Sequence, residues 1–335
     1  MTLDLPFVWA GVIAFAVLAY VIADGFDLGI GILFPLIGEK RDRDTAMNSI
    51  APVWDGNETW LVLGGVGLLA AFPLAFAIIL PAVYFPILVM LLALVFRGVA
   101  FEFRWRTERG RSLWDCAFAG GSALAAFCQG IALGAFVQGI RVSGRAYAGG
   151  WLDWLTPFSV LTGIALMTGY ALLGASWLAM KTMGSLRESA RRFAFVSGAG
   201  TVALIGIVSL WTPFLNPIFM QRWFAFPAII YTLPVPLAVA AATWLMFAGL
   251  RGGRDVQPFL AALALFVLSY IGLGIGLYPE IVPPDITIWQ AAAPAKSLGF
   301  LLVGAAVLIP IIIGYTGHAY WVFRGKVDSS AGYHE

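Results

Sequence analysis

Asp24 and Asp27, in the stretch YVIADGFDLGIGILFP, stand three residues apart in a run that is otherwise almost wholly apolar. Residues at i and i+3 share a helix face, so the two carboxyls project together. Asp55 and Glu58, in SIAPVWDGNETWLVLGG, repeat that spacing, and LVFRGVAFEFRWR adds Arg97 and Glu102. A charge in hydrocarbon is costly and is kept where it is compensated or used. Buried carboxyls hold their protons more tightly than in water unless a cation offsets the lost solvent. Arg97 can pair with one of these acids, not with all. The chemistry that suits such a set is proton binding and release. Asp55, Asp27, Asp24, Glu58 and Glu102 are therefore expected to form a proton route, with Arg97 as counter-ion. The structural alternative is that the same acids pair, cap helix ends or hold helices together. On that reading Glu102 is half solvated and paired with Arg104 or Arg106.

The elements that position them follow from composition. The chain has 335 residues, 61% hydrophobic and 11% charged. Soluble domains carry about 25% charged residues, and here the deficit runs the whole length, so the chain reads as an all-α polytopic membrane protein. A span needs roughly 20 apolar residues. Nine candidates lie near 7–34, 50–72, 77–103, 114–138, 157–180, 191–212, 226–250, 257–278 and 297–323, in one integral-membrane domain over 1–335. Between the second and third, Pro73 and Pro81 mark a tight turn. Gly25 and Gly29 form a small-xxx-small pair that lets another helix approach.

Fifteen of the 20 Lys and Arg residues fall in alternate connections and the tail. That asymmetry predicts nine helices with the N-terminus outside and the C-terminus cytoplasmic. The acids of the first three spans then gather on the inner side. The Trp- and Pro-rich stretches GGWLDWLTP and YPEIVPPDITIWQ lie on the outer surface. The N-terminus, without a basic n-region, reads as an uncleaved first span.

Other chemistry is poorly supplied. A formal net charge of +2 points to no nucleic-acid partner. Cys116 and Cys128 share one expected helix, twelve residues apart, and form no CxxC. The histidines are His318, near the inner end of the last span, and His334 in the tail. One intramembrane histidine cannot hold several haems. With no Walker motif, dinucleotide fingerprint or metal-spaced His/Cys cluster, no metal or haem site is expected on this chain. Redox chemistry would need cofactors on another subunit.

The phrases ADGFDLGIGIL, NSIAPVWDGNETWLVLGG, FRGVAFEFR and PPDITIWQAAAP together resemble subunit II of cytochrome bd-type quinol oxidases, in family order and over the whole chain. The relatively short length is closer to the cyanide-insensitive subgroup. The resemblance implies a fold of two four-helix bundles plus one peripheral helix in the bacterial inner membrane. It implies a heterodimer with a larger subunit I that carries haems b and d, oxidises quinol and reduces dioxygen to water. Some members add a small accessory subunit, and in some subunit II holds a structural quinone. The resemblance also places Asp55 at the subunit interface, feeding cytoplasmic protons to subunit I, with Asp24 and Asp27 beside that route. Glu102 stands where some members have aspartate. Two other readings are a purely structural scaffold and a proton-coupled transporter, against which the charged cluster lies toward one side rather than at the midplane and no matched pair of broken helices is visible.

Overall fold

In the computed structural model, residues 3–107 and 109–327 are described, and His334 lies outside them. Helix α1, Leu5–Leu33, is started by Asp4, whose carboxylate accepts from the Phe7 amide at 3.1 Å. It is followed by the short helix α2, Lys40–Asn48, then α3, Trp54–Ala71, α4, Pro73–Ala82, α5, Tyr84–Arg106, and α6, Arg111–Gln138. A two-residue hairpin, β1 Val142–Ser143 with β2 Ala146–Tyr147, leads to α7, Pro157–Lys181, and α8, Gly184–Trp211. Next come α9, Pro217–Phe224, α10, Ala228–Thr232, α11, Pro234–Arg251, and α12, Val256–Leu277. A second hairpin, β3 Glu280–Val282 with β4 Ile286–Thr287, precedes α13, Ile288–Ala291, and α14, Ala295–Val322.

Among the described residues, eight helices are long and apolar enough to cross a membrane. The expected second span, α3, is not one of them, because Asp55, Asn57 and Glu58 occupy its first turns. Nor is the connection after it a tight turn. Pro73 opens α4, a ten-residue apolar helix that contains Pro81 and ends at Ala82, with Val83 alone separating it from α5. Proline is well tolerated in a first helical turn, where its missing N–H would have no partner anyway.

Helix α1 is the hub. It packs against α3, α6 and α7, while α5 lies along α6, α8 along α7, α11 along α12, and α14 touches α1 and α3. The approach of α7 depends on missing side chains. A Cβ on Gly29 would collide with the Tyr170 carbonyl, and one on Gly174 with the Gly29 carbonyl carbon. The two backbones thus touch directly, as the small-residue spacing predicts. Beside this contact Phe26 stacks on Trp177 with ring centroids 4.2 Å apart. In contrast, α5 turns Leu88, Leu91, Leu92, Val95, Phe96 and Val99 outward. An exposed apolar stripe of that length belongs against lipid or another subunit.

At the end of the bundle that gathers most of the arginines, the chain is folded back on itself. The Lys181 ammonium donates to the carbonyls of Phe323 and, at 2.8 Å, Gly325, and the Val327 amide donates to the Lys181 carbonyl at 2.8 Å. Lys326 reaches Asp255 at 2.8 Å, and Arg187 holds the same carboxylate at 2.6 Å.

Two outcomes follow. Gly29→Ala should destabilise the protein by about 1–3 kcal/mol, the usual cost of overpacking, whereas Gly11→Ala, with open space around it, should not. Thermal unfolding in detergent measures both. Burial would push the Asp255 carboxyl up, but hydrogen bonds from Lys326 and Arg187 outweigh it and hold the carboxyl below its ordinary range. A lowered acid stabilises above its free value and loses that contribution as pH falls. A spin label at Val327 should therefore stay immobile at neutral pH and gain mobility only below about pH 4. In Asp255→Asn it should be mobile at pH 7.

Candidate functional site

Asp24 and Asp27 lie in the last third of α1 and are fully buried. They face α5, whose Arg97 is 1% exposed. The Arg97 Nη1 atom is 2.8 Å from Asp24 Oδ1 and 3.8 Å from Glu58 Oε2, and Nη2 is 3.9 Å from Asp27 Oδ2. The expected single pairing is thus a cluster of three carboxyls within 4 Å of one guanidinium, with Asp24 alone at contact distance. Two successive acids on α1 and one on α3 converge there because α3 packs along the same stretch of α1. Trp54 closes the site, with the guanidinium 6.0 Å from its ring centroid, a cation–π contact.

The remaining wall is polar as well. Asn57, buried on α3, donates through Nδ2 to Asp27 Oδ2 at 2.8 Å and to the Ala23 carbonyl at 3.2 Å. Its Oδ1 accepts from the Tyr320 hydroxyl of α14 at 2.8 Å. Tyr20, one turn before Asp24, is buried, and the Tyr170 hydroxyl on α7 donates to Gln129 Oε1 at 2.9 Å. Both Asp24 oxygens, Asp27 Oδ1 and the three Arg97 nitrogens are buried without a well-aligned hydrogen bond. Three carboxyls against one guanidinium leave negative charge in surplus, and in low dielectric such a surplus is relieved by binding protons.

Of the five acids expected from the sequence to form a proton route, the structure brings three together. Glu58 stands at the rim, its side chain 29% exposed against 0% for Asp24. Asp55, one turn earlier on α3, is exposed and lies outside the ion-pair set. Glu102 is half-buried on α5 and joins neither Arg97 nor Arg104 among the described residues. The expected pairing with Arg104 fails because that arginine turns inward. Fully buried, it contacts Asp44 at 2.8 Å and Asp115 at 2.5 Å. Arg111 joins Asp44 at 2.6 Å and Arg43 joins Asp115 at 3.5 Å, with Phe34 and Trp105 against the Arg104 guanidinium. This second network, which holds α2 onto the α5–α6 connection, was missed. Its trace in the sequence is slight: Asp44 directly follows Arg43, and Asp115 stands four residues after Arg111.

Residues 5–323 match the profile of the family described as cytochrome bd terminal oxidase subunit II. The chain belongs to that family. It is 28% identical to the cytochrome bd-I ubiquinol oxidase subunit 2 of Escherichia coli K12, over 96% of this chain and 95% of that protein. It is also 28% identical to the cytochrome bd ubiquinol oxidase subunit 2 of Bacillus subtilis 168, over 96% of each. The structure of bd oxidase from Geobacillus thermodenitrificans contains a chain that superposes with a TM-score of 0.72 at 18% identity, over 97% of this chain and 100% of that one. That likeness establishes the fold. With eight apolar helices and bacterial relatives, this subunit II is a multi-pass protein of the bacterial inner membrane.

Within subunit II the histidine of α14, His318, is exposed, its ring 6.0 Å from that of Trp321. Among the described residues no group of three His, Cys, Asp or Glu side chains could hold a metal.

Removing the guanidinium tests the cluster's charge balance. Arg97→Leu should cost about 3–5 kcal/mol, because it leaves buried acids without their cation. Arg97→Lys, which keeps the charge without the fork, should recover part of the loss. Thermal unfolding of the solubilised protein reads both.

Proposed function

We propose that this chain is the haem-free subunit II of a cytochrome bd-type quinol oxidase, pairing with a haem-bearing subunit I that oxidises quinol and reduces dioxygen to water. The family membership and the relatives named as ubiquinol oxidase subunits support the assignment. The basic end then faces the cytoplasm, as the distribution of arginine and lysine favours. Residues 1–335 work as one membrane domain of nine helices, the ninth being α3 continued by α4. One group of four comprises α1, α3 with α4, α5 and α6. A second comprises α7, α8, α10 with α11, and α12, and α14 is peripheral.

The role proposed for this chain is a proton route. The carrying observation is the gradation of its acids. Asp55 is exposed, Glu58 partly exposed one turn further along α3, and Asp24 and Asp27 fully buried around one guanidinium. Oxygen reduction consumes one proton for each electron. Haems b and d, held by the partner, would supply the electron chemistry. The residues of this chain take a proton at Asp55 and Glu58 from the cytoplasmic side and hold it among the buried acids. Glu102, half-buried on the same side, serves the mouth of the route. Arg97 keeps one carboxylate ionised and leaves the others to exchange protons. Uptake from one side alone separates charge across the membrane without pumping.

The close Arg97–Asp24 pair favours a second reading, in which the cluster is only a scaffold. Asp27→Asn and Glu58→Gln separate the two in the purified complex. If protons travel this way, haem content stays normal while quinol oxidase turnover falls about 100-fold, the scale of losing a positioned acid–base group. A scaffold predicts unchanged turnover per haem.

A further inference from the structure

We infer that Tyr320, acting through Asn57, is a positioning residue that assigns Asp27 Oδ1 as the oxygen that takes up and releases the proton. The inference rests on the proton-route reading above and deepens it. It starts from the polarity of three hydrogen-bonding groups. Asn57 Nδ2 faces the Ala23 carbonyl at 3.2 Å and Asp27 Oδ2 at 2.8 Å. A backbone carbonyl only accepts, so the amide can present only its NH2 group on this side. The Asn57 Oδ1 atom is thereby turned toward α14, where Tyr320 donates to it at 2.8 Å.

The chain of bonds has one direction, from the tyrosine O–H to the amide oxygen and from the amide N–H to the carboxylate. It cannot conduct a proton, because an amide N–H does not release one near neutral pH. What it does is occupy Asp27 Oδ2. The other oxygen, Oδ1, is buried with no hydrogen-bond partner. A proton arriving at Asp27 is therefore received at Oδ1, and the bond from Asn57 to Oδ2 survives in both protonation states. Asp27 can load and unload without rotating and without disturbing α14.

The anchor is rigid. The Tyr320 ring is set edge-on to Phe26 and Trp177, with centroids 6.4 and 6.2 Å away at interplanar angles of 74° and 87°. Phe26 and Trp177 are themselves stacked and buried. The hydroxyl is thus delivered to Asn57 by a ring that the α1–α7 contact holds in place. The charged and titratable groups around Asp27 are Asp24 and Tyr20 on α1, Glu58 on α3, Arg97 on α5, Tyr170 on α7 and Tyr320 on α14. Of these Tyr320 alone bonds to Asn57.

The test uses the intact, haem-replete complex and Tyr320→Phe, which removes the hydroxyl and leaves the ring. Infrared difference spectra of wild type and Asp27→Asn identify the C=O stretch of protonated Asp27. In Tyr320→Phe the Asn57 amide is no longer held, the bond to Oδ2 weakens, and that band should move to higher frequency. Turnover per haem should fall about 2- to 10-fold, the range of one lost hydrogen bond. Asn57→Leu, which removes the donor itself, should move the band the same way. If Asp27→Asn slows turnover but both other variants leave band and turnover unchanged, the positioning role is overturned and the proton route stands. If Asp27→Asn itself leaves turnover unchanged, the proton-route reading fails first, and the inference with it.

Discussion

The basic end of this molecule depends on one buried guanidinium. Arg97 stands between α1 and α3, and each helix brings it acid. Taken singly, any of these side chains would cost several kcal/mol in a low-dielectric interior. Together they form an unequal set, with more carboxyl than cation. That inequality distinguishes the cluster from an ordinary buried salt bridge. A balanced pair locks a structure, whereas an acid-rich set has protonation states to exchange. The Arg104 network at the helix ends is the useful contrast. There three arginines, Arg43, Arg104 and Arg111, meet two aspartates, and short contacts on both carboxylates tie α2 to the ends of α5 and α6.

The geometry around Arg97 is maintained by shape rather than by charge. Gly29 and Gly174 bring the backbones of α1 and α7 into contact, and the stacked Phe26–Trp177 pair fills the space beside them. With α7 so close, the carboxyls of α1 have no freedom to turn toward solvent. Asn57 and Tyr320 then complete the polar wall from α3 and α14.

Much of this was legible in the sequence because membrane proteins separate their signals widely. Acids at i, i+3 in apolar runs stand out, as do the small-residue pair on α1 and the alternation of basic connections. The convergence of Asp24, Asp27, Glu58 and Arg97 followed from helix order and direction. Depth along α3 did not, since Asp55 and Glu58 differ by one turn and no periodicity says which turn is covered. The partners of Arg104 were equally hidden, because sequence spacing does not say which of Glu102, Asp44 and Asp115 its long side chain meets. Tyr320 was beyond any local pattern. It meets Asn57 only because α14 returns to the first helices after the rest of the chain has been laid down.

Chain order carries a consequence for how the protein is made. Ribosomal synthesis runs from the N-terminus, so α1 leaves the ribosome with Asp24 and Asp27 long before Arg97, Gly174 or Tyr320 exists. Placing an aspartate in mid-membrane costs about 2.5–3.5 kcal/mol during insertion. For that interval α1 must be carried by its own apolar residues, with its acids discharged or sheltered by the insertion machinery. The cation arrives with α5 and the close-fitting wall with α7. The cluster is therefore assembled with its acids first and the groups that hold them last.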